Sequence, residues 1–458
     1  MLCTLPLLVL TGCLALQFIF CSDMRPYFAL LLGTACALLQ GVLGGRKWQD
    51  VSRETFDAMG SASPALALYL LVGPIISTWI AAGALPALVL WGNSIMTRAV
   101  YLPLSFFLMG LTGALMGTGV SALGVMGIAL SSIGQAMGFP LWLTAGAVGS
   151  GAFWGNGVSP LAAVNTLTPA VVKCDPLPYR NMVFRRMAPP FFASILLFAL
   201  AGFYCGSEGS VHAESLEELS RLFPFSWFSL LPPVSLLILI AAGFPSLPAF
   251  AASIALALAA ALGGGNLALD QVPSLIMDGY RYMGPSPLLR SILNRGGLFS
   301  TMPLIVTIML AMAFGGSYQA SGGLSELLKR LTASVKTAKG LRTLALGCSI
   351  FTTAVTGSAS LAAVLTGTLF ADAARERELS PLDLSMTLGP ITATASVLFP
   401  WGASGAALVS MLKLPLAGPD ASGILYIPVC FAAFLTPLWI ALTPLQKPGR
   451  EKSSAASG

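Results

Sequence analysis

The groups in this sequence that could do chemistry are neutral: hydroxyls, carboxamides and backbone carbonyls inside apolar runs interrupted by Gly and Pro. One run reads Ser150-Gly151-Ala152-Phe153-Trp154-Gly155-Asn156-Gly157-Val158-Ser159-Pro160 and continues through Asn165 and Thr166 to Pro169. A second holds Thr392, Thr394 and Ser396, then Pro400-Trp401-Gly402-Ala403-Ser404. Gly155, Gly157 and Pro160 predict a helix broken midway. A helix broken inside protein leaves carbonyls and amides unpaired, and these can replace the hydration shell of an ion. Two further stretches, 117–121 and 352–360, have polar tips that could close over the same centre. The candidate ion- or substrate-binding set is therefore Thr118, Gly119, Ser121, Asn156, Ser159, Asn165, Thr166, Thr356, Gly357, Ser358, Ser360, Thr392, Thr394, Trp401 and Ser404. The competing reading is that Gly, Ser and Thr merely let helices approach closely. It suffices for any single small residue, but not for paired interruptions that include Asn156 and Asn165.

The acidic residues are absent from these runs. All eighteen Asp and Glu fall in expected loops or at their edges, and the only histidine, His212, sits in an acidic loop. A proton relay within the membrane usually needs an Asp, Glu or His there. Hydrolytic chemistry lacks a base to activate any Ser, so an enzyme is not expected. The eight cysteines, at 3, 13, 21, 36, 174, 205, 348 and 430, include no C-x-x-C pair. That spacing signals neither a zinc site nor a disulfide framework. No cofactor is expected beyond a transiently bound sodium ion.

The elements that must position these groups are membrane helices. Of 458 residues, 56% are hydrophobic and 9% charged, with a mean hydropathy of +0.83. A soluble surface needs about 25% charged residues, so the partner of this chain is a lipid bilayer. The net charge of +6 is spread over loops rather than gathered in a stripe, which excludes nucleic acid. Apolar segments long enough to cross about 30 Å of hydrocarbon lie near 2–21, 27–44, 62–82, 140–172, 188–206, 227–243, 246–262, 297–320, 387–411 and 424–443. Segments 99–136 and 343–372 are either two crossings each or hairpins that return to one face.

Lys and Arg mark cytoplasmic loops. The basic loops 45–57, 173–187 and 323–342 all fall inside if both termini are cytoplasmic, with the acidic loop around Glu208, Glu214, Glu217 and Glu218 outside. Basic flanks on both sides of 343–372 favour a re-entrant hairpin there. The two halves then run in opposite directions, as inverted repeats do. Arg98 and Arg295, at segment edges, read as snorkelling to the interface. A faint echo pairs Thr118-Gly119 with Thr356-Gly357, an offset of 238. The expected fold is an all-α polytopic membrane protein of about ten spans plus two hairpins, each of its two inverted repeats having a re-entrant hairpin and a discontinuous helix. The expected division is 1–61 (N-terminal helices), 62–206 (first repeat), 207–296 (linking elements), 297–443 (second repeat) and 444–458 (cytoplasmic tail).

The stretches 72–86 and 150–169, Asn294-Arg295-Gly296-Gly297-Leu298, and Leu384-Ser385 followed by Phe399-Pro400-Trp401 resemble the NhaC-type sodium/proton antiporter family of the ion transporter superfamily. The resemblance runs over roughly 2–443. It implies inverted repeats around a central site, a secondary carrier working by alternating access, a bacterial inner-membrane location and, from the superfamily alone, a homodimer. It carries Asn156, Ser159 and Trp401 over by position. Where the family has an acidic pattern like G-D-x-x-S-P-x-S-D-T-T-N, this chain reads Gly155-Asn156-Gly157-Val158-Ser159-Pro160-Leu161-Ala162-Ala163-Val164-Asn165-Thr166, with both acids missing. A second acidic pair of the family, in a pattern like L-S-R-x-x-E-D, falls on Gly389 and Pro390 here and is also missing. Asn can offer a carbonyl oxygen to sodium but cannot carry a proton. Sodium-coupled or sodium/proton antiport is the first expectation. Transport of a small organic anion or amino acid is the second, and a non-transporting membrane scaffold the third.

Overall fold

In the computed structural model, residues 4–21, 25–205, 213–224, 226–416 and 422–446 are described. The acidic-loop residues Glu208 and His212 and the tail beyond Gln446 lie outside them. The helices are α1 (Leu5–Cys21), α2 (Tyr27–Leu43), α3 (Trp48–Ser61), α4 (Ser63–Ala81), α5 (Ala84–Ile95), α6 (Arg98–Met116), α7 (Gly119–Ala122) and α8 (Ile128–Ala136). There follow α9 (Leu141–Val158), α10 (Ala163–Val172), α11 (Pro176–Cys205), α12 (Ala213–Leu222), α13 (Leu231–Ala241), α14 (Ser246–Gly263), α15 (Val272–Asp278) and α16 (Pro287–Leu293). The last are α17 (Leu298–Ala320), α18 (Gly323–Ala333), α19 (Ala338–Thr356), α20 (Ala359–Glu376), α21 (Pro381–Ala395), α22 (Ala403–Leu412) and α23 (Phe431–Leu442). Among the described residues there is no strand, as lipid demands of any spanning chain that is not a closed barrel.

Seven helical stretches are long and apolar enough to cross a membrane: Ser63–Ala81, Arg98–Met116, Gly119–Ala136, Pro176–Cys205, Ser246–Gly263, Leu298–Ala320 and Pro381–Leu412. Several expected spans are shorter, with 17 residues each in α1 and α2 and 12 in α23. The basic stretch 173–187, expected as a loop, is mostly helix, because α11 starts at Pro176. Asp175 Oδ1 accepts from the Leu177 N–H at 3.0 Å there, and Pro is well suited to a first helical position. Basic loops 45–57 and 323–342 likewise contain α3 and α18, which the span reading skipped because they are too polar to cross.

The two halves share one backbone plan. Helices α6 and α19 begin 240 residues apart (338 minus 98) and end 240 apart (356 minus 116). Each is closed by a left-handed glycine, Gly117 at φ 67° and Gly357 at φ 66°. The same offset carries α10 onto α22 (403 minus 163, 412 minus 172). It also relates Lys173 (φ 61°) to Lys413 (φ 56°) and Gly138 (φ 83°) to Glu378 (φ 55°). The 238 offset of the sequence echo is therefore two residues short. The echo aligned Thr-Gly pairs, whereas the turn is made by the glycine that precedes Thr118 in one half and Ser358 in the other. Limbs α6 and Gly119–Ala136 have 19 and 18 residues, each about 27 Å or more at 1.5 Å per residue. Each is as long as a membrane crossing.

Glycines set how closely the helices pack. A Cβ on Gly155 of α9 would fall 2.2 Å from the Gly110 carbonyl oxygen of α6, and one on Gly151 would fall 2.4 Å from that of Phe106. Small residues four apart let two backbones touch in this way. Helices α9 and α21 pack side by side, with Gly157 beside Pro390 and Thr394.

One buried ion pair fastens the halves together. The Asp383 carboxylate, fully buried in the first turn of α21, accepts from Arg186 Nη1 of α11 at 2.7 Å. It also accepts from Ser380 Oγ at 3.1 Å and from the Gln446 N–H at 2.7 Å. Arg186 further reaches the Pro444 carbonyl at 3.2 Å.

Two outcomes follow for thermal unfolding in detergent. Gly155→Ala should destabilise by about 1–3 kcal/mol through overpacking, whereas Gly347→Ala, with open space around its Cβ, should be neutral or stabilise by up to ~1 kcal/mol. Asp383→Ala should cost about 3 kcal/mol, because it leaves the half-buried Arg186 without its counter-charge and removes the acceptor of Ser380 and Gln446. Equal melting of Asp383→Ala and wild type would show that the pair does not hold the halves.

Candidate functional site

The first break lies between α9 and α10. Ser159 leaves the helix at ψ 128°, so the last carbonyls of α9 lose their helical partners. Asn165 replaces them: its Nδ2 donates to the Gly157 and Ser159 carbonyls at 2.9 Å each and to that of Asn156 at 3.4 Å. Its Oδ1 accepts from the Tyr179 hydroxyl at 2.8 Å. Both ends of this carboxamide are committed, so Asn165 braces the break. Ser159 Oγ donates to the Ala114 carbonyl of α6 at 2.6 Å. Thr166 is exposed and bonds back to the Ala163 carbonyl. Asn156 differs, since its side chain is half-buried and makes no hydrogen bond among the described residues. At the nearby hairpin tip, Thr118 Oγ1 accepts from the Ser121 N–H at 3.3 Å. Gly119 lies against the Phe153 ring, closer than a Cβ would allow.

The second break lies between α21 and α22. After the 3-10 turn Ser396–Leu398, the chain runs through Phe399, Pro400, Trp401 and Gly402. Trp401 Nε1 donates to the Ala354 carbonyl of α19 at 2.7 Å, and the Ala403 N–H donates to that of Gly357 at 2.9 Å. Ser396 Oγ donates to Ser404 Oγ at 2.8 Å. Thr356 Oγ1 donates to the Thr352 carbonyl at 2.8 Å and accepts from the Ser358 N–H at 3.4 Å, bracing the turn at Gly357. Ser358 Oγ accepts from the Leu361 N–H. Ser360 is half-buried with no side-chain hydrogen bond among the described residues. Thr392 and Thr394 turn back onto the carbonyls of their own helix.

Ala114 and Ala354 are themselves 240 apart. In each half, a side chain from the unwound stretch takes the carbonyl three residues before the left-handed glycine. The candidates thus gather in two clusters, one per half. Asn156, Ser159, Asn165 and Thr118 gather around the first break, and Thr356, Gly357, Ser358, Trp401 and Ser404 around the second. Between the halves, α10 packs on α20 and α21, while α22 packs on α7 and α8. Cavities of about 260 Å³ and 400 Å³ open at the two breaks, the first beside Ser159, Asn165, Tyr179 and Arg180, the second beside Pro400, Ser410 and Lys413. Among the described residues no carboxylate lines either one.

Sequence reading missed Asp383, which it placed with the loop acids. The signal was present in Ser380-x-x-Asp383, an N-cap hydroxyl three residues before an acid. It also missed the buried hydroxyls of Thr366 and Ser385, which, like that of Thr352 in the expected polar tip, have no hydrogen-bond partner among the described residues. Only packing distinguishes these from other helix hydroxyls. Arg295 is 4% exposed and does not snorkel, because the turn at Gly296 and Gly297 folds its segment onto α4.

The chain is 28% identical over 444 residues to the Na(+)/H(+) antiporter NhaC of Alkalihalophilus pseudofirmus, covering 96% of this chain and 94% of that one. It is 26% identical over 329 residues to the malate-2H(+)/Na(+)-lactate antiporter of Bacillus subtilis, covering 70% of each. It is also 26% identical over 411 residues to the arginine/ornithine antiporter ArcD of Halobacterium salinarum, covering 88% and 83%. The sequence model of the Na+/H+ antiporter family matches residues 178–443, more than half of the chain and the whole of the second break. With its helical pair of broken elements and this match, the chain belongs to the Na+/H+ antiporter family and is a multi-pass membrane antiporter.

Proposed function

We propose that this antiporter couples transport to sodium, bound by neutral oxygens at the breaks, and works by alternating access between inverted repeats at 62–206 and 297–443. The observation that carries the reading is the 240-residue correspondence between the two broken helices and their hairpins. Related halves that can exchange conformations are what alternating access requires. Asn156, with an uncommitted carbonyl oxygen, and Ser360 are the ligands most available to a sodium ion, and Ser159, Asn165, Thr356 and Trp401 hold the breaks open. In this reading the protein sits in a bacterial inner membrane with both termini cytoplasmic.

The counter-substrate divides two readings. Proton exchange is the first, by membership of the family. Exchange of a small organic solute is the second, favoured by the absence of a carboxylate among the described residues that line the two cavities and by the named substrates of the relatives from B. subtilis and H. salinarum.

Purified protein in vesicles, loaded with a pH dye and given a sodium gradient, tests both. A sodium-driven pH change supports proton exchange, sodium-dependent uptake of a carboxylate or amino acid without one supports the second reading, and neither flux overturns sodium coupling. Asn156→Ala should lower sodium-dependent flux at least about tenfold, the effect of some 1.4 kcal/mol, at wild-type expression and melting temperature. Thr356→Ala should lower it too, but with a lower melting temperature because the turn loses its brace. Unchanged flux in Asn156→Ala would remove that residue from the site.

A further inference from the structure

Arg295 and Lys413 form a pair of like charges with no carboxylate partner among the described residues. Arg295 is 4% exposed; its Nε donates to the Ser291 carbonyl at 2.7 Å, and its Nη1 is buried with no partner among the described residues. Lys413 Nζ donates to the carbonyl of Asn294, the residue before Arg295, at 2.6 Å. The two cations are close enough to repel each other. Among the described residues neither forms an ion pair with a carboxylate.

Burying a charge without a counter-charge, as at Arg295, is costly, and the exposed Lys413 ammonium beside it adds like-charge repulsion. A buried charge is ordinarily paired, and a bound anion would supply the missing partner here. Lys413 is also one wall of the 400 Å³ cavity at the second break, with Ser300, Thr307 and Ser410 among the other walls. That volume lies within the range of small-molecule sites, roughly 300–1,000 Å³. Both repeats place a lysine in the same left-handed cap, Lys173 and Lys413, and the first-half cavity has Arg180 in its wall. The cation at this end of the broken helix is therefore part of the plan of the fold.

We propose that Lys413, in the wall of the cavity beside the second break, and Arg295, which follows the Asn294 carbonyl held by that lysine, together bind a small oxyanion, a carboxylate or phosphate group. The guanidinium supplies the unused Nη1 donor and the ammonium its two remaining hydrogens. The hydroxyl of Ser410, which has no hydrogen bond among the described residues, faces the same cavity. As a docking place for a transported anion the site rests on the second reading above; as an anion site it does not.

The test is thermal unfolding of the purified full chain, titrated with sodium acetate, succinate or phosphate against sodium chloride of equal ionic strength. It is repeated in nanodiscs of phosphatidylcholine with and without phosphatidylglycerol. The expected result is saturable stabilisation of the wild type by at least one probe, with apparent affinity about tenfold weaker in Arg295→Gln and in Lys413→Gln and largely kept in Arg295→Lys. Stabilisation by soluble anions assigns the site to a solute, and stabilisation by phosphatidylglycerol alone assigns it to a lipid phosphate; both support the site. No effect beyond chloride from any probe overturns it, as does equal affinity in wild type and Lys413→Gln, a variant that tests the site even if Arg295→Gln does not fold. Sodium flux that persists while anion binding is absent overturns this site alone. Anion binding that persists without sodium flux overturns the sodium reading alone.

Discussion

Everything in this structure depends on where the backbone hydrogen bonds go when a helix is interrupted at the depth of the membrane. Lipid offers no partners, so each carbonyl freed by a break must be taken by the protein or left for a solute. At the first break Asn165 takes three of them and Ser159 takes one from the neighbouring hairpin. At the second break the same need is met by Trp401 and by the Ala403 N–H. The side chains differ, and the carbonyl being satisfied is the repeat-related one. The polar groups that remain, led by Asn156, are those the breaks do not use for their own upkeep.

Much of the fold was legible because its signals are coarse. Long uncharged apolar runs mark α4, α14 and α17, and Gly155, Gly157 and Pro160 predict the break between α9 and α10. Among the helices that escaped notice, α3, α5 and α18 are short or polar, and they pack against α17 and α4 rather than standing out by hydropathy. The register of the repeat was misplaced by two residues because letters were matched instead of backbone turns: a left-handed glycine is recognisable only once φ is known.

The candidate site was legible as a region and less so as roles. Residue type places Asn165, Thr392 and Thr394 among ligands, but their hydrogen bonds point back into the protein. Nothing in a sequence reports which oxygen is already engaged. The charged residues show the opposite error. Asp383 and Arg295 sit near segment ends, where hydropathy expects exposure, and both are buried by folding of the adjoining turns.

The equal spacing of the two halves also constrains how this chain can change. Between Arg98 and Lys173 and between Ala338 and Lys413, the helical segments coincide with no residue gained or lost once the 3-10 turn to Leu398 is counted with α21, while most side chains differ. Chain length within each half is thus held more tightly than composition. An added residue in α9 or α21 would rotate everything after it by about 100°, turning a buried stripe toward lipid. Variation in such a protein is channelled into substitution, and its specificity can drift from one solute to another while its frame stays still.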